Sequence, residues 1–120
     1  MLTKVNFIIP GNTVSKSNSY RIANRRLYKT AQVKQWEAMA SQIAAASWGH
    51  HNPFEYKIGI RARIYFKDAR RRDIDGPLKS LLDSMNGIIY KDDSQVREIN
   101  IIKDIDRDFP RIEVEISCYK

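Results

Sequence analysis

Apolar and polar residues alternate along three stretches of the chain, with the period of two that half-buried strands show. The first stretch covers 4–9, and Pro10 ends it. The clearest covers 57–67, and the last covers 111–118. Residues 95–105 are predicted to form a further strand with mixed faces. The pattern therefore predicts four strands, three of which have one apolar face to bury.

Residues 31–47 carry apolar side chains at helical spacing instead. Thr30 precedes them and is a suitable N-cap, since its hydroxyl can accept a hydrogen bond from the first turn. Trp36 lies on the apolar stripe. We therefore assign Trp36 to the core, and not to a stacking platform for bases.

A second, shorter helix is predicted from Pro77, because proline suits the first helical position. Asp75 or Gly76 would then be its N-cap. Leucines and a methionine at helical spacing supply its apolar stripe, and Gly87 is placed to stop the helix as the C′ residue.

The predicted elements follow the order β-α-β-α-β-β, with 88–90 as a short additional strand. This order indicates an α+β fold: a small mixed β-sheet of about four strands, with two main helices packed on one face. The length of 120 residues and the lack of repeats predict a single domain over residues 1–120. Residues 11–30 are predicted to be a long polar and basic loop.

The charge is unevenly distributed along the chain. Residues 1–72 hold 14 Lys and Arg against 3 Asp and Glu, whereas residues 73–120 hold 7 against 11. A basic half joined to an acid-rich half favours a surface for nucleic acid beside a metal pocket, over a basic protein with scattered charges. The apolar content of 42% excludes an intrinsically disordered chain.

Cysteine usage and hydropathy bound the location of the protein. Cys118 is the only cysteine, so no internal disulfide can form, and this favours a reducing compartment. No apolar run approaches the length that spans a bilayer, and the N-terminus lacks the apolar core of a signal peptide. We expect a cytoplasmic protein that does not associate with membranes.

Two acidic pairs flank the second predicted helix. Asp73 and Asp75 are separated by one residue, so in extended backbone both carboxylates would leave the same side. Lys79 follows in the first helical turn, and Asp92 and Asp93 come after the helix. Carboxylate oxygens are the ligands that Mg²⁺ prefers. From spacing alone, a catalytic metal site and a set of helix caps with ion pairs are about equally supported.

Basic residues accompany this acidic region. Phosphodiesters need positive charge around them, so the arginines before the acidic pair and those of the long loop and the central strand are candidates for DNA contacts. They could equally form a solvated surface. The candidates are Arg21, Arg25, Arg26, Arg61, Arg63, Arg70, Arg71 and Arg72.

The acidic region resembles the core of the RusA family of Holliday junction resolvases, which are small homodimeric endonucleases common in phages and prophages. The resemblance rests on Arg-Arg-Asp-Ile-Asp-Gly-Pro-Leu-Lys, Leu-Leu-Asp-Ser-Met and Asp-Asp-Ser-Gln-Val, all within residues 68–98. Gly76 departs from the pattern, because the family usually has Asn there. The acidic and basic positions of the family fall on Asp73, Asp75, Lys79, Asp83, Asp92 and Asp93.

The resemblance implies roles for these residues. Asp73, Asp75 and Asp93 would be catalytic ligands of Mg²⁺, for which Mn²⁺ would substitute, and Asp92 a fourth ligand. Lys79 would act on the phosphate or the attacking water, and Arg72 would contact DNA. Asp83 would partner Lys79 or the motif backbone, or form a plain helical salt bridge.

The implied activity is resolution of four-way DNA junctions by paired phosphodiester hydrolysis in recombination and repair, by a homodimer. Two alternatives remain open. The chain could be a non-catalytic basic module for branched or single-stranded DNA, whose carboxylates are only structural. Within the enzymes, it could be a less selective flap or branch nuclease.

Overall fold

The fold is taken from a computed structural model of the 120-residue chain, which describes residues 3–13, 20–23, 26–49 and 51–119, with the backbone alone for 20–23 and 26–29. The described residues form six strands and two helices, with a 3₁₀ turn, Asp93–Gln95, before the fifth strand. The elements are β1 Lys4–Pro10, β2 Tyr20–Ala23, β3 Arg26–Lys29, α1 Ala31–Trp48, β4 Ile58–Phe66, α2 Asp75–Met85, β5 Val96–Ile105 and β6 Arg111–Cys118.

Four of the strands form one mixed sheet in the order β1-β6-β4-β5. β6 pairs antiparallel with both β1 and β4, whereas β4 and β5 are parallel. Parallel strands need a crossover connection, and α2 supplies it. The α+β prediction is therefore confirmed, with four strands in a mixed sheet and the two helices packed against each other.

The core lies between the helices and the apolar face of the sheet. Buried and more exposed residues alternate along β1, β4 and β6, and the buried residues form this apolar face. α1 contributes Val33, Trp36, Ala40, Ala44 and Trp48. The Thr30 side chain accepts a hydrogen bond from the Val33 backbone N–H at 3.3 Å, as expected of an N-cap.

The structure differs from the sequence-based expectation in three local places. Part of the predicted loop 11–30 is a hairpin, since β2 and β3 pair antiparallel. Residues 88–90 form a turn with isolated bridges at Tyr90 and not a strand. α2 starts at Asp75, with Ile74 as its N-cap, so the helix begins two residues before Pro77. Gly87, with φ of 83°, does follow the helix as expected.

Within the described part of the chain, none of the helices is long and apolar enough to cross a membrane.

Candidate active site

The first acidic pair lies at the N-terminal end of α2. The segment 67–74, which we call the arginine loop, leaves the end of β4 and leads into this helix. Asp73 and Asp75 are both exposed there. Ile74 between them has helical backbone, with φ of −93° and ψ of −16°. The premise that Asp73 and Asp75 leave the same side of extended backbone is therefore wrong, because the residue between them is not extended.

Asp75 is the first residue of α2, and one of its carboxylate oxygens accepts a hydrogen bond from the Gly76 N–H at 3.0 Å. No side chain of the N-cap caps this helix end. A helix N-terminus carries partial positive charge and unsatisfied N–H groups. It therefore favours the carboxylate of Asp75, and it would also favour a phosphate placed beside it.

An acidic residue that the sequence analysis passed over organises the arginine loop. Asp68 forms an ion pair with Arg72 at 2.9 Å, and its carboxylate accepts a hydrogen bond from the Arg70 N–H at 3.1 Å. Arg72 also donates to the Asp68 carbonyl and lies 4.8 Å from the centre of the Phe66 ring. The Lys103 ammonium donates to the Arg72 carbonyl at 2.8 Å and so ties the loop to β5.

The three arginines of the arginine loop differ in how far they are exposed. Arg72 is mostly buried and already has a carboxylate partner, so it holds the loop together. Arg70 and Arg71 are exposed. The Arg70 N–H bond, with help from the Arg72 and Arg70 guanidinium groups, holds the pKa of Asp68 below its usual value. The loop therefore presents two of its arginines to solvent.

The second acidic pair lies near the C-terminal end of α2. Tyr90 is completely buried there, and its hydroxyl donates to the Leu82 carbonyl at 3.2 Å. Burial raises the pKa of the Tyr90 hydroxyl, and Asp93, Asp83 and Asp92 raise it further. The second acidic pair therefore lies near a buried phenol, and Asp93 is its main acidic neighbour. From the sequence, Tyr90 was predicted only as part of the short strand 88–90.

Gln95 fixes the turn that carries the second acidic pair. Its side-chain oxygen accepts hydrogen bonds from the Lys91 and Asp92 N–H groups, both at 2.9 Å. Its side-chain nitrogen donates to the carbonyls of Phe54 and Tyr56 at 2.8 and 2.9 Å. Two of these hydrogen bonds close the turn 91–95 on itself, and the other two hold it against the segment before β4.

Asp92 completes a capping box with Gln95 and accepts a hydrogen bond from the Ser94 N–H at 2.9 Å. Hydrogen bonds from Ser94 keep the pKa of Asp92 below its usual value. The spacing Asp-x-x-Gln before a strand was the signal that could have identified this turn from sequence.

Asp93 differs from Asp92 in having an oxygen that is buried without a hydrogen-bond partner among the described residues. A buried carboxylate oxygen without a partner is costly, and a cation would satisfy it. The chemistry of these donors therefore fits Mg²⁺. In the part of the chain that is described, however, the structure does not bring three or more Asp, Glu, His or Cys side chains together around a possible metal position.

The reason is the length of α2. Asp75 is its first residue and Asp83 its ninth, so about 12 Å of helix axis separates them at 1.5 Å per residue. Asp83 and Asp93 both raise the pKa of the Tyr90 hydroxyl near the C-terminal end of the helix. Each acidic pair therefore lies at its own end of the helix. The predicted ligand set of Asp73, Asp75, Asp93 and Asp92 stays a prediction, as does the role of Lys79, an exposed residue between the two ends.

The central strand is less basic than its own sequence indicated. Arg61 and Arg63 lie on the open face of β4, but the register places Glu115 and Glu113 of β6 beside them. Arg63 also forms an ion pair with Asp104 of β5 at 3.0 Å. Their predicted contacts with DNA stay predictions, with carboxylates now known to be close. The side chains of Arg21, Arg25 and Arg26 lie outside the described residues.

Comparison with known proteins adds an independent observation. The family model described as "Endodeoxyribonuclease RusA" matches residues 10–117. A curated relative, "Crossover junction endodeoxyribonuclease RusA" of Aquifex aeolicus (strain VF5), is 32% identical over 110 residues, which is 89% of this chain and 86% of that protein. The match includes both acidic pairs and the arginine loop. The chain therefore belongs to the RusA endodeoxyribonuclease family.

Proposed function

We propose that this protein is a Mg²⁺-dependent endonuclease that resolves four-way DNA junctions by hydrolysing phosphodiester bonds on two opposed strands. The observation that carries the proposal is the family match over residues 10–117, which spans every candidate catalytic residue. The structure supports it at the N-terminal end of α2, where exposed carboxylates lie next to exposed arginines.

In this proposal the two ends of α2 have complementary tasks. Asp73, Asp75 and Asp93 would hold the cation, with Asp92 as a further ligand, and Mn²⁺ would substitute for Mg²⁺. A bound ion would polarise the scissile phosphate and lower the pKa of a water that it binds. Lys79 offsets negative charge that develops on the phosphate. Arg70 and Arg71 hold the neighbouring phosphates.

Arg72 has a positioning task in this scheme. Its pairing with Asp68 keeps the loop folded, so that Arg70 and Arg71 stay at the N-terminal end of α2. The open face of the sheet, where Arg61 and Arg63 have acidic neighbours, is secondary in DNA binding. We propose that the protein acts as a homodimer, because two opposed cuts need two equivalent sites and a two-fold dimer provides them.

The test is cleavage of a synthetic four-way junction with 10-fold excess protein, in Mg²⁺, in Mn²⁺ and in EDTA, beside a flap and a linear duplex of the same sequence. The proposal expects symmetric cuts on the junction in either metal and none in EDTA. Binding without cleavage in both metals would instead support the non-catalytic module. Equal cleavage of junction and flap would support the less selective branch nuclease.

A further inference from the structure

The connection between β5 and β6 crosses the end of the sheet from which the arginine loop leaves. β4 lies between these two strands, so residues 106–110, which we call the crossing turn, pass over the end of β4. The Asp106 N–H donates to the Phe66 carbonyl at 2.8 Å, and Phe66 directly precedes the arginine loop. The Gly11 N–H donates to the Pro110 carbonyl at 2.9 Å. The crossing turn therefore meets both the arginine loop and the start of the long basic segment that follows β1.

Phe109, in the crossing turn, is a large apolar side chain that is 46% exposed. Its backbone is nevertheless fixed by its neighbours. The Phe109 N–H donates to the Asp106 carboxylate at 3.1 Å, and the Phe109 carbonyl accepts a hydrogen bond from the Arg111 guanidinium at 2.8 Å. The Arg111 guanidinium also forms an ion pair with the Asp106 carboxylate at 2.7 Å. The three residues therefore form one closed network.

The same network holds the ring of Phe109. The Arg111 guanidinium lies 3.8 Å from the centre of the Tyr65 ring and 4.9 Å from the centre of the Phe109 ring, and both distances are within the range of cation–π attraction. Hydrogen bonds from Arg111, and then from the Phe109 N–H, keep the pKa of Asp106 below its usual value, so the ion pair persists at neutral pH. The exposed ring is therefore pre-organised, and it loses little freedom when it binds a partner.

The surroundings of Phe109 indicate the chemistry of this partner. Arg70 and Arg71 are exposed in the adjoining arginine loop. Within the crossing turn, Arg107 and Asp108 are both exposed and offset each other's charge, so the excess positive charge comes from the arginine loop. Proteins bind unstacked bases by this combination, because cations hold the phosphates while an aromatic ring stacks on the base. The partner that fits is therefore a base of DNA.

A four-way junction supplies such bases at its branch point. Continuous stacking is interrupted where the strands exchange, and a base that is already poorly stacked or paired is less costly to displace. An apolar side chain can then enter beside the base and complete its unstacking. In linear duplex the same side chain would have to break continuous stacking. An aromatic contact of this kind therefore distinguishes branched DNA from linear DNA.

We propose that Phe109 stacks on an unstacked base at the branch point, and that this contact makes the protein bind four-way junctions in preference to linear duplex. Phe109 thereby deepens the proposed junction-resolving function, on which this inference rests, because it assigns the preference for branched DNA to one side chain. Asp106 and Arg111 are positioning residues, since they hold the ring without contacting the base.

DNA binding in EDTA measures the contact without cleavage. Phe109→Ala should bind a four-way junction about 5- to 150-fold more weakly than the wild type, which is the effect of losing one stacked base. Its affinity for a linear duplex of the same sequence should stay near that of the wild type, because a continuous duplex offers the ring no free base. Equal losses on junction and duplex would overturn the branch-point contact.

Two further substitutions at the same position separate stacking from apolar burial. Phe109→Trp keeps an aromatic ring and should retain the preference for the junction. Phe109→Leu keeps an apolar side chain without a ring and should restore little of the binding that Phe109→Ala loses. Full binding by Phe109→Leu would overturn the stacking role. If Phe109→Ala failed to fold, the comparison of Phe109→Leu with Phe109→Trp would decide the same question.

2-Aminopurine, placed in turn at each branch-point position, reports the base directly, because its emission rises when it leaves its stacked neighbours. Saturating wild-type protein in EDTA should raise this emission at one position or more, and saturating Phe109→Ala should raise it less. The same fluorescent base in the middle of one arm is the control, and its emission should not depend on residue 109. Equal emission with both proteins at every branch-point position would overturn the contact.

Sedimentation and circular dichroism melting test whether the ring contacts protein instead. Phe109→Ala should sediment and melt like the wild type, because an exposed side chain contributes little to folding. A change in assembly state in Phe109→Ala would overturn the contact with DNA and assign the ring to a contact between protein chains.

Failure of the stacking role is distinguishable from failure of the proposed function. If the wild type cut the junction in Mg²⁺ and Phe109→Ala preferred the junction over duplex as strongly, the role of Phe109 would be wrong and the nuclease function would stand. A wild type that neither prefers nor cuts the junction would overturn the proposed function, and the stacking role with it.

Discussion

The two ends of α2 carry the same chemical groups in different settings. At the N-terminal end, Asp73 and Asp75 are exposed, and the helix has no side-chain cap. At the C-terminal end, the Tyr90 hydroxyl is buried and Gln95 makes four hydrogen bonds. Asp73 is therefore held by the arginine loop and Asp75 by the first turn of α2, whereas the second pair lies in a turn that Gln95 fixes.

Because of this difference, we expect the two ends of α2 to affect activity and stability differently. Exposed groups contribute little to folding, so carboxylates at the N-terminal end can be changed with small effects on stability. Buried polar groups with full sets of hydrogen bonds destabilise the protein when one partner is removed. Substitutions at the N-terminal end should therefore abolish function in a folded protein, whereas substitutions at the C-terminal end should also lower the melting temperature.

The largest expected effect is on cleavage by Asp75→Asn. Removing a ligand charge should lower junction cleavage by roughly 10²–10³ or more, as for loss of other directly acting polar groups. Junction binding should be unchanged or tighter, because one carboxylate no longer repels phosphate. Single-turnover cleavage and gel-shift titration measure the two effects. Asp108→Asn, at an exposed carboxylate near β6, is the control, and near-normal cleavage by Asp75→Asn would remove this residue from the site.

A substitution of Lys79, which lies between the two ends of α2, tests whether this residue takes part in cleavage. Lys79→Met keeps the length of the side chain but loses the charge, so cleavage should fall by roughly 10²–10³ if the ammonium stabilises developing charge. The Mg²⁺ concentration that gives half-maximal residual activity should stay the same, because an ammonium has no lone pair for a metal. Wild-type rates for Lys79→Met would show that this lysine is only a helical partner of Asp83.

Gln95→Glu should destabilise the turn 91–95, which lies near the C-terminal end of α2. The substitution keeps the acceptor for the Lys91 and Asp92 N–H groups, but it places a carboxylate oxygen against the carbonyls of Phe54 and Tyr56. Leaving these acceptors without a donor should lower the free energy of unfolding by about 1–3 kcal/mol. Urea unfolding measures it. Asn100→Asp, which changes an exposed amide in the same way, is the control, and equal stability losses would contradict the role of Gln95.

The arginines of the loop should differ in the salt dependence of DNA binding. Each phosphate contact contributes about −0.9 to the slope of log affinity against log salt on duplex DNA. Arg70→Gln and Arg71→Gln should each flatten the slope by about this amount, since both side chains are exposed. Arg72→Gln should leave the slope closer to wild type and lower the melting temperature, because Arg72 is paired with Asp68. Equal slopes for all three variants would contradict the prediction that Arg70 and Arg71 contact phosphates whereas Arg72 holds the loop together.

The smallest expected effect concerns acid stability. The pKa of Asp68 is lowered in the folded protein, first by the Arg70 N–H and then by the loop arginines. A lowered pKa contributes stability that is present above the unfolded value of about 4 and is lost as the pH falls through the folded value. Between pH 6 and pH 3, the melting temperature should therefore fall less steeply in Asp68→Asn than in the wild type. If the melting temperatures of both proteins fell equally with pH, the lowered pKa of Asp68 would contribute no stability.

Local patterns predicted much of the fold. Alternation over 57–67 located β4, helical spacing after Thr30 located α1, and both depend on which face of an element is apolar. The residues of the acidic region also indicated the family, which the comparisons confirm. The hairpin of β2 and β3 was missed, because each strand is only four residues long and lies within a stretch rich in polar and basic residues.

The candidate site was less accessible to sequence reasoning. The amino-acid sequence by itself determined which groups are present: two acidic pairs, a lysine and an arginine loop, together with the strands and helices that carry them. Only the tertiary structure decided that α2 separates the acidic pairs, that Tyr90 is buried near Asp93, and that acidic neighbours accompany Arg61 and Arg63. Distances of this kind depend on helix length, strand order and register, which join residues far apart in the chain and leave no local pattern.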